Sequence, residues 1–552
     1  MTSLIARRAA TVLASRRRRW LTALAVLTLA ACGGADDNAD KSDANPLLTS
    51  PGSGMPAAPA VAAPAPVAEP SMPAALTEEG EQPLIAAIAS TYPVIEQLAT
   101  KVETGEVRAI RAAMVEARLD QARDDLASIK RNLASLSASG LPTYALIHNV
   151  ATDGSLRGWI ILPDGGVVAG TSSGTYAGLS MLPGGLGVDR IAATRGPQLK
   201  GAETPRLDAE VDAEFDPEAA AEAGATAEAG ADADVERGPG KRNSPELIKK
   251  RQEVLADAAA SLLPGDLLQV LAAGEGRLLV VPVRDTGTAP YAALPIRGPD
   301  DFAARRWSFV VMQDVKVLAD SGASFDMGRV DLARSIVVGD PEDMRDVRFS
   351  FPALPGARKE ALAVASELVL DKESVLIGPS STRKNVVRAI DRSSGEGVIY
   401  MATHAVADPG NPLTRGFVVL SRDNLFAGEL RTTKFKGWNE RQPLVVMSAC
   451  QTALGREFEG GMFGVARTWT NAGAGQVVAS LWNVSDLATY RLMTRFVAGL
   501  KQGKVPEVAM QAAQLETIRN YPNDPKMWAS FTIIGKPSVD SRAAEPAAAT
   551  VQ

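Results

Sequence analysis

The sequence predicts an α/β fold: a doubly wound, mainly parallel sheet flanked by helices and preceded by a helical segment. Three observations predict it. From residue 244 onward, short apolar runs rich in Val and Ile alternate with helical patterns, as strands buried on both faces require. Two of those runs, VIYMAT ahead of His404 and LVVMSA ahead of Cys450, end in chemically active side chains, and ligands in open parallel sheets bind at the carboxyl ends of strands. The 552 residues are 46% hydrophobic with a net charge of −6. That composition suits a folded core, and without a basic stripe it argues against a nucleic-acid partner.

Taken in order, residues 1–32 read as a lipoprotein-type signal. Arg16, Arg17, Arg18 and Arg19 form a basic start, followed by the apolar run 20–31. That run is too short to span a membrane, which takes ~20 residues. Leu29, Ala30 and Ala31 before Cys32 resemble a lipobox, in which the Cys becomes the lipidated amino terminus. A lipid-anchored, periplasm-facing protein of the bacterial cell envelope is expected, held to the membrane without crossing it. Residues 33–78, rich in Pro and Ala, are expected to be an extended linker.

Residues 79–140 form the helical segment. Val115, Leu119, Ala122, Leu126, Ile129, Leu133 and Leu136 alternate four- and three-residue steps, a heptad seam. The seam serves either a homodimer through residues 115–136 or packing within the chain, against its own domain or in a hairpin with residues 83–102. The main domain is expected over residues 141–540, with a disordered tail at 541–552. It opens with a hairpin, TYALIHNV and RGWIILP around Thr152, Asp153 and Gly154. His148 lies in its first strand and reads as structural. Residues 200–242 are acidic and Ala-rich, a disordered surface insertion. The basic residues Arg237, Lys241 and Arg242 also make it a candidate processing loop.

The core then runs through a helix at 245–263, the strands LLVVPV, WSFVVM and SIVVGDP, a helix at 357–369, SVLIG, and a helix from Thr382 to Ile390. VIYMAT, GFVVLS, LVVMSA and QVVASLW complete the sheet ahead of a helix over 487–500. The chain holds only two Cys and two His. If Cys32 carries lipid, Cys450 is the one remaining thiol, without an intramolecular disulfide partner. A thiolate attacks and an adjacent His favours it, so two neighbouring strands delivering His404 and Cys450 make a candidate dyad. A buried thiol that merely packs is the alternative. No zinc-type spacing and no phosphate-binding glycine loop occurs, so neither metal nor cofactor is expected.

The region from about residue 143 to 535 resembles the CHAT domain, a caspase- and separase-like cysteine peptidase family. The resemblance rests on an ordered set: Pro290 to Leu294, Val338-Gly339-Asp340-Pro341, Leu354-Pro355-Gly356-Ala357, Ala402-Thr403-His404, Ser448-Ala449-Cys450-Gln451-Thr452, and Ser480 to Asp486. It implies a caspase-like sheet and hydrolysis of a protein or peptide substrate through a thioester. Cys450 is then the nucleophile, His404 the general base and acid, and the backbone N–H groups of Cys450 and Ala405 the oxyanion donors. Ala405 replaces the family's usual Gly. The resemblance also implies that Asp486 faces a basic P1 side chain, although Ser485 and Asp486 equally suit a helix N-cap. Trp482 and Asp408 are further candidates for the substrate groove. The alternatives are a catalytically silent scaffold on the same fold and a thiol acyltransferase.

Overall fold

The computed structural model describes residues 70–92, 105–179, 182–186, 188, 198–199, 244–320, 322–408, 412–449, 455–458 and 461–544. The expected signal with Cys32, most of the linker, the acidic insertion and Cys450 lie outside them, as does most of the tail.

Eleven strands form one sheet: β1 (Thr143–Val150), β2 (Leu156–Ile161), β3 (Val167–Thr171), β4 (Gly276–Val281), β5 (Trp307–Val311), β6 (Ile336–Pro341), β7 (Val375–Gly378), β8 (Ile399–Ala402), β9 (Leu444–Ser448), β10 (Gln476–Ser480) and β11 (Phe531–Gly535). Their spatial order is β7-β6-β8-β9-β10-β11-β5-β4-β1-β2-β3. The first five of that order run parallel. β11 pairs antiparallel with β10, and β5, β4 and β1 then follow the direction of β11. β2 and β3 close the far edge as antiparallel strands.

The sheet is therefore mainly parallel, as expected, but built of two blocks that point in opposite directions. Their carboxyl ends lie at opposite ends of the strands, so of the two blocks the one from β7 to β10 directs its ends toward His404. β11 makes the reversal. Its sequence, FTIIG, is an ordinary apolar run, and a run does not encode the direction in which a strand enters a sheet. GFVVLS departs from expectation. Only Phe417–Val418 is a strand, and it sits in a separate small sheet between Ala405–Val406 and Leu425–Phe426.

The central strands are buried along their whole length, as the patterns of β8, β9 and β10 show, because helices cover the sheet. Seven longer helices can be named: α1 (Gln82–Ser90), α2 (Gly105–Ser137), α3 (Pro245–Leu262), α4 (Pro355–Glu367), α5 (Arg383–Ser393), α6 (Asp486–Lys501) and α7 (Pro506–Asn520). Side-chain oxygens start three of them: Ser244 accepts from Leu247 N, Thr382 from Asn385 N and Ser485 from Ala488 N. No single helix among the described residues is long and apolar enough to cross a membrane.

The heptad seam is used inside the chain. Ala122, Leu126, Ile129 and Leu133 are buried with Leu84 and Ile88 of α1 in the main core. Tyr92 Oη donates to Asp125 at 2.6 Å, and Lys130 pairs with Glu81 at 2.6 Å. The face that a second copy would need is thus largely spent on the hairpin of α1 and α2 and on the sheet behind it. The end of the expected linker also meets the domain, with Leu76 N donating to Val167 O of β3 at 2.7 Å.

Candidate active site

β8 and β9 pair in parallel, with Ala402 level with Ser448, and Thr403 N reaches Ser448 O at 3.3 Å. β9 and β10 pair in a register that continues to Ser448 and Ser480. Positions 404, 450 and 482 thus stand the same number of residues beyond three aligned strand ends. His404 is reached through a rigid backbone: Thr403 Oγ1 donates to Val419 O at 2.7 Å, and Val419 N donates to His404 O at 2.9 Å. Ala405 is buried and pairs with Val418. On the neighbouring strand, Ser480 Oγ donates to Ala449 O, which ties the residue before Cys450 to β10.

The His404 ring is fully buried, and Phe351 lies tilted against it with ring centroids 5.3 Å apart. Its Nε2 is 2.8 Å from Pro352 O. A carbonyl only accepts, so Nε2 carries the proton in that bond and, in the neutral ring, Nδ1 carries the lone pair. This is the tautomer a general base needs if Nδ1 faces the thiol. Pro352 thus orients the His404 ring through its backbone. No side-chain signature marks such a role, which is why the sequence did not disclose it.

Asp486 is buried at the first position of α6, and its Oδ2 accepts from Gly356 N at 2.5 Å. Gly356 is the second residue of α4, a helix with no side-chain cap of its own. The carboxylate therefore stands at the amino ends of two helices, where negative charge is stabilised. A Cβ at Gly356 would lie 2.4 Å from Asp486 Oδ2, so only glycine permits this approach. The short segment from Pro352 to Gly356 links the His404 acceptor to the Asp486 donor.

Trp482 is buried, and its indole N–H meets no acceptor among the described residues. Asp408, also buried, pairs with Arg348 at 3.3 Å and with Arg415 at 3.6 Å. Arg348 in turn lies over the Phe349 ring. The structure thus gathers His404, Ala405, Trp482 and Asp486 at the carboxyl ends of β8 and β10. Asp408 lies in the loop beyond His404, held by two arginines.

The CHAT domain family model matches residues 252–536, just over half of the chain. The chain belongs to the CHAT domain family. All of β4 to β11 falls inside the match, whereas β1, β2, β3 and the helical hairpin precede it. Among solved structures, the chain is similar to the Arg specific cysteine proteinase gingipain R, at 12% identity over 54% of this chain and 69% of that one, with a TM-score of 0.34. It is also similar to the Saccharomyces cerevisiae separase–securin complex, at 10% identity over 84% of this chain, with a TM-score of 0.44. There it spans only 34% of the other chain's length. No curated protein sequence matches it.

Proposed function

We propose that this CHAT domain protein is a cysteine endopeptidase working through Cys450 and His404. One observation carries the reading: the bond from His404 Nε2 to Pro352 O selects the tautomer with its lone pair on Nδ1. It does so beside the strand that leads to Cys450. In the proposed cycle His404 takes the thiol proton as Cys450 Sγ attacks the scissile carbonyl carbon, and gives that proton to the departing amine as the C–N bond breaks. Water, deprotonated by His404, then hydrolyses the thioester and restores the thiol. Backbone N–H groups of Cys450 and Ala405 receive the oxyanion, each donor worth ~3 kcal/mol of barrier.

Asp486 is proposed to receive a basic P1 side chain. Its carboxylate accepts from Gly356 N, and a guanidinium or ammonium entering beside it would make a charge-assisted bond. Trp482 and Asp408 are proposed to line the groove. Lipidation at Cys32 would hold the enzyme at the bacterial envelope, with the linker that begins at residue 33 as its tether.

A second reading, a catalytically silent binding protein, is favoured by one feature: His404 has no exposed surface. Labelling with a peptidyl-Arg acyloxymethyl ketone separates the two. A single adduct on the chain, lost in Cys450→Ala and in His404→Ala, supports the peptidase. Unlabelled protein whose Cys450 reacts only slowly with a small alkylating agent supports the binding protein.

A further inference from the structure

The loop after β6 contains a two-residue strand, Phe349–Ser350. It pairs antiparallel with Gln198–Leu199, Gln198 opposite Ser350 and Leu199 opposite Phe349. The receiving strand belongs to the region matched by the family model, and the strand seated on it comes from far upstream, outside that region. Directly after Ser350 come Phe351 and Pro352, the residues that touch His404. A segment external to the family region therefore lies along the backbone that leads into the site.

Edges of this kind bind extended peptides through main-chain hydrogen bonds, with little demand on side chains. A ladder of two residues is short enough to be exchanged for another strand. The register also fixes a direction. Going from Gln198 to Leu199, the chain moves from Ser350 to Phe349, away from Phe351 and His404. A peptide lying in the same lane has its amino-terminal end at His404 and its later residues along Ser350 and Phe349. Those later residues are the ones that depart with the amine when the scissile bond breaks.

We propose that Phe349–Ser350 is the binding edge for the part of a peptide substrate that follows the scissile bond, and that Gln198–Leu199 occupies this edge in the resting chain. The inference rests on the peptidase reading and deepens it. The strap obstructs only substrates that extend past the scissile bond. Reagents that end there, such as peptidyl coumarylamides, leave the edge unused.

The test uses the full chain in three forms: wild type, Gln198→Pro with Leu199→Pro, and Gln198→Cys with Ser350→Cys. Proline removes the N–H donors of the strap. The cysteine pair keeps the strap folded and, once oxidised, locks it in place. Each form is assayed with an internally quenched peptide spanning an Arg at the scissile bond and with the matching coumarylamide. The proline variant is expected to raise kcat/KM on the spanning peptide about tenfold, or ~1.4 kcal/mol, with the coumarylamide unchanged. The oxidised lock is expected to lower the spanning rate, and reduction to restore it.

Equal effects on both substrates, or none in either variant, would overturn the proposal while leaving the peptidase intact. If no form cleaves anything, the peptidase reading fails and the edge is tested by binding. A fluorescent peptide with the sequence of residues 196–201, GPQLKG, should bind the proline variant more tightly than the oxidised lock. Equal affinity for the two would sink the proposal.

Discussion

The chain's two histidines make the same hydrogen bond in opposite halves of one sheet. His148 Nε2 lies 2.8 Å from Leu262 O, and His404 Nε2 lies 2.8 Å from Pro352 O. Both rings are buried. What differs is where each residue stands on its strand. His148 is inside the ladder of β1, level with Gly158, and a Cβ at Gly158 would lie 2.6 Å from Leu267 Cδ1. The ring there fills space beneath a close helix. His404 stands beyond the end of a parallel strand, where neighbouring strands also deliver their next residues. Position on the strand, rather than burial or partner, separates a packing histidine from a candidate base.

The two halves differ in their polar groups as well. On β4, Arg277 pairs with Glu507 at 2.8 Å and also donates to Ser538 O and Thr143 Oγ1. Ser538 Oγ donates to Glu507, and Gln476 Nε2 donates to Ser538 Oγ. This network is fully internal and joins the strand blocks. The His404 half has a smaller internal pair, Tyr400 Oη donating to Glu360 at 2.7 Å, and carries further polar groups at strand ends and helix starts.

The contrast can be broken first at the histidines. His404→Ala should lower kcat/KM on a peptide substrate by about 10²–10⁴-fold, the usual worth of a general base, whereas His148→Asn should leave it unchanged at mildly alkaline pH. Comparable losses in both variants would remove the distinction. Next comes the internal network. Glu507→Ala strands the Arg277 charge and should cost about 3–5 kcal/mol in urea unfolding.

The third test is pH. Burial lowers the His148 pKa from 6.5 to about 4, partly opposed by the bond to Leu262. Between these values the unfolded chain binds a proton that the native chain does not. Stability should therefore be complete above about pH 6.5 and decline toward pH 4, by on the order of 3 kcal/mol. His148→Asn should flatten that part of the profile. Smallest is the helix junction: Gly356→Ala forces a methyl against the Asp486 carboxylate and should cost about 1–3 kcal/mol. Thermal unfolding reads that cost. Asp486→Asn keeps the shape, so a selective fall in turnover of Arg substrates over neutral ones would sharpen the assignment of Asp486 to P1.

Much of this was legible because it is local. Apolar runs of four to six residues mark β6, β8, β9 and β10, and hydroxyl residues mark the starts of α3, α5 and α6, because strand burial and helix capping depend on neighbours in sequence. The ordered motifs likewise announced the family. Packing of the seam against residues 83–102 was among the readings the sequence offered, but the reversal at β11 and the small sheet around Phe417 were not legible. Each depends on which distant segment arrives to pair, and composition is silent about that.

By itself, the sequence determined the α/β class, the two strands that lead to His404 and Cys450, and CHAT family membership. Only the tertiary structure decided which tautomer Pro352 imposes on His404, that Asp486 caps a second helix, and that Gln198–Leu199 lies on the loop leading into the site. Those contacts are made by backbone atoms, which every residue carries alike. Their partners are chosen by the folded chain rather than by residue type.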